Sequence, residues 1–316
     1  MIASIWSSKK AGIALAIVFI VLLFPWVYMI SCTAFTYAYW LFPALSYAST
    51  KLVSEKESLP VPAIIHQTWK SKDIPEKWQK AQKSCIDLHP DYEYKLWTDE
   101  DGLELIEEYF PWFLPTYLSY PYDIQRVDVV RYFILLKFGG VYIDLDMGCN
   151  KRFDFLRRAN FTAPLTYPMG ISNDVMAAAP ENEYLAKAVT QLPRWNHWLF
   201  IKYIQVMFGT GPMFLTVQYA LMPRKIKVDV SVIPTDAYGK YDFSGDPVFY
   251  HLHGSSWHAD DAALVFWLDK YKGLLVGLGV VVMMAGVAVW STQKKKSAWP
   301  HQRVASREIL DIEKQI

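Results

Sequence analysis

The stretch that decides the fold runs Arg131-Tyr132-Phe133-Ile134-Leu135-Leu136-Lys137-Phe138-Gly139-Gly140-Val141-Tyr142-Ile143-Asp144-Leu145-Asp146. It reads as the last turns of a helix, a glycine turn, and a strand ending in two carboxylates. Alternate side chains of a strand share a face. The spacing therefore predicts Tyr142, Asp144 and Asp146 on one face, with Ile143 and Leu145 turned into a core. Paired carboxylates on a buried strand repel each other and lose hydration. A hard divalent cation or a hydroxyl-rich ligand between them relieves both costs. Asp144 and Asp146 are thus candidate ligands for Mn2+ or Mg2+, and through it for the diphosphate of a sugar nucleotide.

Working outward, residues 123–138 carry Ile124, Val127, Val130, Ile134 and Leu135 at three- and four-residue steps, which predicts an amphipathic helix. Gly139-Gly140 stops it. Asp128 and Arg131 lie one turn apart on the face that also holds Gln125 and Tyr132. Beside the acidic strand end they read as contacts to sugar hydroxyls and phosphate; the competing reading is a surface ion pair of little energetic worth. Upstream, a short strand over 61–69 ends in His66-Gln67-Thr68-Trp69, and one over 92–97 ends at Thr98-Asp99. Trp69 is placed to stack on a nucleobase, with a core tryptophan as the alternative; His66, Gln67, Asp99 and Tyr142 join it as candidate donor contacts. Helical patterns cover 75–87, 103–109, 183–192 and 212–221, strand-like pieces fall within 166–179 and 228–234, and 110–122 reads as a proline-aromatic loop. Strands alternating with helices imply an α/β fold with a mainly parallel sheet, whose strand ends converge on a ligand. Asn173 and Asp174, after Gly170-Ile171-Ser172, are candidate contacts on the far side of the sugar. Downstream, His251-Leu252-His253-Gly254-Ser255-Ser256-Trp257-His258 is dense in donors. His253 is the preferred third metal ligand, with His251 also in reach, and Ser255 and Trp257 are placed to cover the diphosphate.

The chain has 316 residues, 53% of them hydrophobic and 16% aromatic, with a formal net charge of +1. Nothing in that balance suits nucleic acid. Three cysteines, Cys32, Cys85 and Cys149, make neither a disulfide scaffold nor a zinc pattern. A Cys85–Cys149 bridge and two free thiols remain equal readings. Two uncharged runs stand out: 11–30 is long enough to cross a bilayer, and 274–290, with Gly273, is marginally so; a cleaved signal peptide is the alternative for the first. Lys9-Lys10 before one run and Lys294-Lys295-Lys296 after the other predict both ends in the cytosol. The expected organisation is a tip, span and aromatic membrane-proximal segment over 1–50, a luminal catalytic domain over 51–270, a second span over 271–292, and a basic cytosolic tail over 293–316. Asn160-Phe161-Thr162 is a glycosylation sequon in the luminal part. The aromatic segment 34–48 and Gly273-x-x-x-Gly277 suggest a membrane partner helix.

Ile64 to Trp69, Leu96-Trp97-Thr98-Asp99, Asp128 to Tyr132, Gly139 to Asp146 and Ser255-Ser256-Trp257, in that order, resemble the sugar-binding region of glycosyltransferase family 32. Within it they are similar to the fungal mannosyl inositol phosphorylceramide synthases. The resemblance implies a GT-A-type, Rossmann-like domain between transmembrane helices, a GDP-mannose donor, an inositol phosphorylceramide acceptor and retention of anomeric configuration. It also implies a Golgi membrane location and a membrane-embedded regulatory subunit. It assigns Asp146 as direct metal ligand, Asp144 to the ribose and metal shell, Asp128 and Arg131 to sugar and phosphate, and Trp69 to the base. One rival is a transferase that extends protein-linked glycans, which shares every donor motif. A second is a non-catalytic membrane scaffold, which the paired aspartates oppose.

Overall fold

The computed structural model describes residues 58–165, 170–198, 201–227, 229–240 and 245–252, the backbone of 46–47, and positions 254, 267, 270–271, 274, 281 and 284–287. The chain divides into two compact units, residues 34–262 and a unit formed by 1–33 with 263–316.

In the first unit the strands are β1 (Ser46–Tyr47), β2 (Ile64–Thr68), β3 (Glu93–Trp97), β4 (Gly140–Ile143), β5 (Met147–Cys149), β6 (Phe161–Pro164), β7 (Val175–Ala178), β8 (Val230–Ile233) and β9 (Phe249–His251). Seven form one sheet in the order β1-β8-β6-β7-β4-β2-β3, and β5 pairs with β9 in a separate ribbon. β2 runs parallel to β3 and β4, and β8 parallel to β6. β7 runs antiparallel to both β4 and β6. β1 runs parallel to β8, so the sheet is mainly parallel, as the alternation of strands and helices implies, and is made mixed by the single antiparallel strand β7. Among the described residues between β6 and β7 there is no crossover helix, and only a crossover brings successive strands in parallel. β4, β6, β7 and β8 are buried at every position.

The helices are α1 (Glu76–Leu88), α2 (Asp99–Tyr109), α3 (Leu114–Ser119), α4 (Asp123–Phe138), α5 (Glu183–Trp195), α6 (Lys202–Gly209), α7 (Pro212–Leu221), α8 (Arg224–Lys227) and α9 (Thr235–Tyr238). α2 starts a turn earlier than apolar spacing predicts, because Thr98 and Asp101 form a reciprocal capping box. α4 matches its expected ends but not its expected character. Ile124 and Val127 are only partly buried, whereas Gln125 and every residue from Asp128 to Leu135 are buried. A helix enclosed all round is a central element, not a surface one. Val129, Phe133 and Ile134, each fully buried, stabilise it by roughly 1.5–3 kcal/mol apiece as an upper estimate.

Gly139 (φ 65°) caps α4 through its N–H to the Leu135 carbonyl at 2.9 Å, and Gly140 (φ 99°) opens β4. A Cβ on Gly139 would stand 2.6 Å from Pro180 Cδ, and one on Gly140 2.8 Å from His66 Nε2. Both positions thus need glycine for conformation and for space. This turn delivers β4, and the acids after it, from the C-terminus of α4. Cys85 and Cys149 are bridged, which closes the question left by the spacing and ties α1 to β5.

In the second unit the described positions Trp267, Lys270, Leu274, Val281 and 284–287 are helical. Trp267, Tyr271, Leu274, Val281, Met284 and Val287 are exposed. Among the described residues no helix is long and apolar enough to cross a membrane. The run 11–30, the segment 34–45 and all but a few positions of 274–290 lie outside the described residues.

Candidate active site

Asp144 is the first residue past β4. The Met147 N–H donates to the Asp144 carbonyl at 2.9 Å, so the chain turns over 144–147 instead of staying extended. The expectation of one strand face for Tyr142, Asp144 and Asp146 is corrected accordingly: strand alternation holds to Ile143, and the turn aims Asp146 independently. Asp144 Oδ1 accepts from the Tyr142 hydroxyl at 2.6 Å and lies 3.1 Å from Arg131 Nη1. Thr68 Oγ1 meets the same tyrosine hydroxyl at 2.8 Å, and the Arg131 guanidinium lies 4.8 Å from the Tyr142 ring centroid.

Arg131 also joins Asp128. Its Nη2 lies 3.3 Å from Asp128 Oδ1, and the two side chains are only 4% and 7% exposed. The surface-pair reading is thereby excluded. Asn173 Nδ2 donates to Asp128 Oδ1 at 3.0 Å, and Thr210 Oγ1 to Oδ2 at 3.0 Å. Asn173 offers its carbonyl to Arg131 Nη1 at 2.9 Å. A buried ion pair survives only when its remaining hydrogen-bonding positions are filled, and Asn173 and Thr210 fill those of Asp128. Burial still raises the Asp128 acid to about 6, with Arg131, Thr210 and Asn173 opposing it. Burial raises Asp144 to about 6 in the same way, Arg131 pulling it back and Asp146 and Asp174 adding to the rise.

Asp146 has different neighbours. Its Oδ2 accepts from the Gly254 N–H at 3.0 Å and lies 3.4 Å from His251 Nε2. Its carbonyl accepts from the Leu252 N–H at 2.8 Å. The β5–β9 ribbon sets this up, since Met147 pairs with His251. Burial first, then the Asp174 charge, raises the Asp146 acid. Asp174 is itself held down at about 2: burial opposes its ionisation, but Lys240, Tyr238 and Ser172 outweigh that. Two carboxylates beside an imidazole suit a hard or borderline divalent cation such as Mg2+ or Mn2+. Among the described residues no three ligating side chains form a ready metal cluster. His253, Ser255 and Trp257 lie outside the described residues.

The remaining candidates divide. Trp69, half-buried just past β2, donates its backbone N–H to the Trp97 carbonyl at 2.9 Å. Asp99 is exposed in the first turn of α2. His66 is fully buried. Its Nε2 meets the Gly139 carbonyl at 2.9 Å, and its Nδ1 accepts from Trp97 Nε1 at 3.1 Å. Burial lowers its pKa to about 4. It braces the glycine turn as a neutral ring and does not open on the carboxylates. Gln67 is also buried, with Oε1 accepting from the Tyr94 hydroxyl at 2.9 Å. Asn160 is exposed, as a glycan acceptor must be. Thr68, Thr210 and Lys240 were not expected. Thr210 meets Asp128 across 82 positions, and no local pattern joins them.

Residues 75–162 match the family model described as a glycosyltransferase sugar-binding region containing the DXD motif. Over 231 residues the chain is 45% identical to inositol phosphoceramide mannosyltransferase 3 of Schizosaccharomyces pombe, covering 72% of this chain and 64% of that protein. Over 270 residues it is 37% identical to inositol phosphoceramide mannosyltransferase 1 of the same organism, covering 80% and 83%. Over 214 residues it is 44% identical to mannosyl phosphorylinositol ceramide synthase SUR1 of Saccharomyces cerevisiae, covering 67% and 55%. The chain therefore spans between about half and four fifths of the length of these relatives. The aspartate pair and the Asp128–Arg131 pair are the geometric counterpart of that likeness, and the chain belongs to the DXD-containing glycosyltransferase family that includes these inositol phosphoceramide mannosyltransferases.

Proposed function

We propose that this chain transfers mannose from GDP-mannose to inositol phosphorylceramide, with retention and with help from Mn2+ or Mg2+, at a Golgi membrane. The observation that carries the reading is the Asp128–Arg131–Asp144 chain, with Asp128 and Arg131 buried and Asp144 partly exposed, joined through one turn to Asp146. The names of the similar proteins support the choice of sugar and of lipid acceptor. The mixed sheet with its acids just past a central strand supports a GT-A-type domain.

Chemically, the chain's part is to hold charge in place. Arg131 binds both Asp128 and Asp144, so neither carboxylate needs to reorganise when a donor arrives. Asp146 and Asp144 are the proposed carboxylate ligands of a divalent cation, with His253 the proposed third ligand and His251, 3.4 Å from Asp146, the alternative. Held there, the cation would supply Lewis-acid stabilisation to the departing diphosphate. Among the described residues no side chain stands out as a covalent nucleophile. We therefore favour same-face attack by an inositol hydroxyl, with the leaving phosphate oxygen taking its proton. Trp69 is the proposed platform for guanine, and Ser255 and Trp257 the proposed cover over the diphosphate.

The Cys85–Cys149 bridge supports an oxidising lumen for the first unit, and the exposed Asn160 supports its glycosylation. Exposed apolar helical positions from Trp267 to Val287 support a membrane contact for the second unit. A membrane-embedded regulatory subunit remains part of the proposal. The deciding experiment offers purified chain a panel of sugar nucleotides with Mn2+, using inositol phosphorylceramide in vesicles or a high-mannose glycoprotein as acceptor. Transfer from GDP-mannose to the lipid supports the proposal, and transfer to the glycoprotein alone overturns it.

A further inference from the structure

Beside the paired acids stands a second buried charge pair that the family motif does not include. Asp174 immediately precedes β7, and its carbonyl accepts from the Asp144 N–H at 2.8 Å. Its carboxylate is 7% exposed and accepts from Lys240 Nζ at 2.7 Å, from Ser172 Oγ at 2.7 Å and from the Tyr238 hydroxyl. Lys240 reaches it from the turn after α9, where Gly239 (φ 73°) has its Cβ position filled by the Phe249 carbonyl. The Lys240 side chain remains 20% exposed. The electrostatic influence of Lys240 and Asp174 extends to Asp146.

The charges around the turn give the pair a meaning. Asp128 and Asp144 pair with Arg131, Asp174 pairs with Lys240, and Asp146 stands one turn past Asp144, whose N–H is held by the Asp174 carbonyl. Four anions against two cations leave a charge that one divalent cation balances. Arg131 is buried with its Nη atoms committed to Asp128, Asp144 and Asn173. Of the two basic groups, Lys240 keeps solvent access, and an ammonium on a flexible stem suits phosphate as a point charge.

We propose that Lys240 contacts the diphosphate of the bound sugar nucleotide and sets the charge of the aspartate cluster, with Asp174 as the residue that positions it. The proposal rests on the sugar-nucleotide reading above and names a residue for it. It requires opposite effects on two ligands. Loss of the Lys240 charge makes the cluster more negative, so Mn2+ alone binds tighter. The same loss removes an attraction for the diphosphate, so the nucleotide binds weaker.

The test is titration calorimetry on the full chain in detergent, with MnCl2 alone and then with GDP and UDP at saturating Mn2+. The wild type, Lys240→Met and Lys240→Arg are compared, with thermal unfolding followed in parallel. Lys240→Met is expected to weaken nucleoside-diphosphate binding about tenfold and to tighten Mn2+ alone by a similar factor, the scale of one charge in partly buried surroundings. Lys240→Arg is expected to recover both. Nucleotide binding unchanged in Lys240→Met, or both ligands weakened together, overturns the Lys240 assignment while leaving the transferase reading intact. Failure of the wild type to bind either nucleotide overturns the transferase reading, and this one with it.

Discussion

Asp144 and Asp146 stand two residues apart and are built into different parts of the molecule. Asp144 belongs to a local assembly: Arg131 and Tyr142 hold it, and both lie within thirteen positions of it. Asp146 belongs to a distant one: Gly254 holds it from 108 positions away, and β9 brings His251 alongside. The turn over 144–147 is where the two assemblies meet. A short motif can therefore specify the charged core of one half of this site, which Thr68, Asn173 and Thr210 complete from a distance, and say little about the other.

The largest expected effect separates the halves by function. Asp146→Asn keeps the shape and the Gly254 contact but removes a charge. It should cut transfer by roughly 10²–10³-fold or more, the scale of losing one preorganised electrostatic group, while the melting temperature stays close to wild type. A melting temperature that falls with the activity would mean that Asp146 is structural. On the Asp144 side the order should reverse. Arg131→Met leaves the buried Asp128 uncompensated, with Asp144 partly exposed beside it, and should destabilise by about 3–5 kcal/mol, measured by urea unfolding. A loss under 1 kcal/mol would contradict the closed network.

Next in size is the bridge on the Asp146 side. The Cys85–Cys149 disulfide closes a separation of 64 residues, and chain-entropy arguments put such a crosslink at about 4 kcal/mol, often less in practice. Cys85→Ser should lower stability by some 2–4 kcal/mol. Because β5 is tethered by the bridge, hydrogen exchange should also rise in the ribbon of β5 and β9 more than in α4. Uniform exchange across both regions would remove the distinction.

The smallest effect is with pH. Burial raises the Asp128 and Asp144 acids to about 6. Protons therefore compete for these carboxylates below that value, and Mn2+ affinity should fall as pH drops from 7 to 5. For stability the sign is opposite. A carboxyl whose folded pKa is raised contributes stability at low pH that is lost as pH rises through about 6. Asp174, held at about 2, contributes stability that is present above the ordinary carboxyl range and is lost only as pH falls toward 2. Metal affinity that is flat between pH 5 and 7 would show that neither raised carboxyl takes part.

The same contrast explains what could be read from sequence. The helix 123–138, the glycine turn, the pairing of Asp128 with Arg131 and the strand ending at the acids are local, and periodicity with glycine placement found them. The antiparallel β7 and the β5–β9 ribbon depend on pairings between distant segments, which one sequence does not display. Thr210 and Lys240 escaped notice for the same reason: each meets its partner across more than sixty positions. His66 misled in another way. Its place at a strand end suggested a ligand contact, but Gly139 and Trp97 consume both ring nitrogens.

The most direct test incubates the wild-type full chain and Asp146→Asn side by side with radiolabelled GDP-mannose, Mn2+ and vesicles containing inositol phosphorylceramide. The account expects label in a mannosylated inositol phosphorylceramide for the wild type and none above background for the folded variant. Equal labelling by both, or a wild type that releases mannose only to water or to protein, would contradict it.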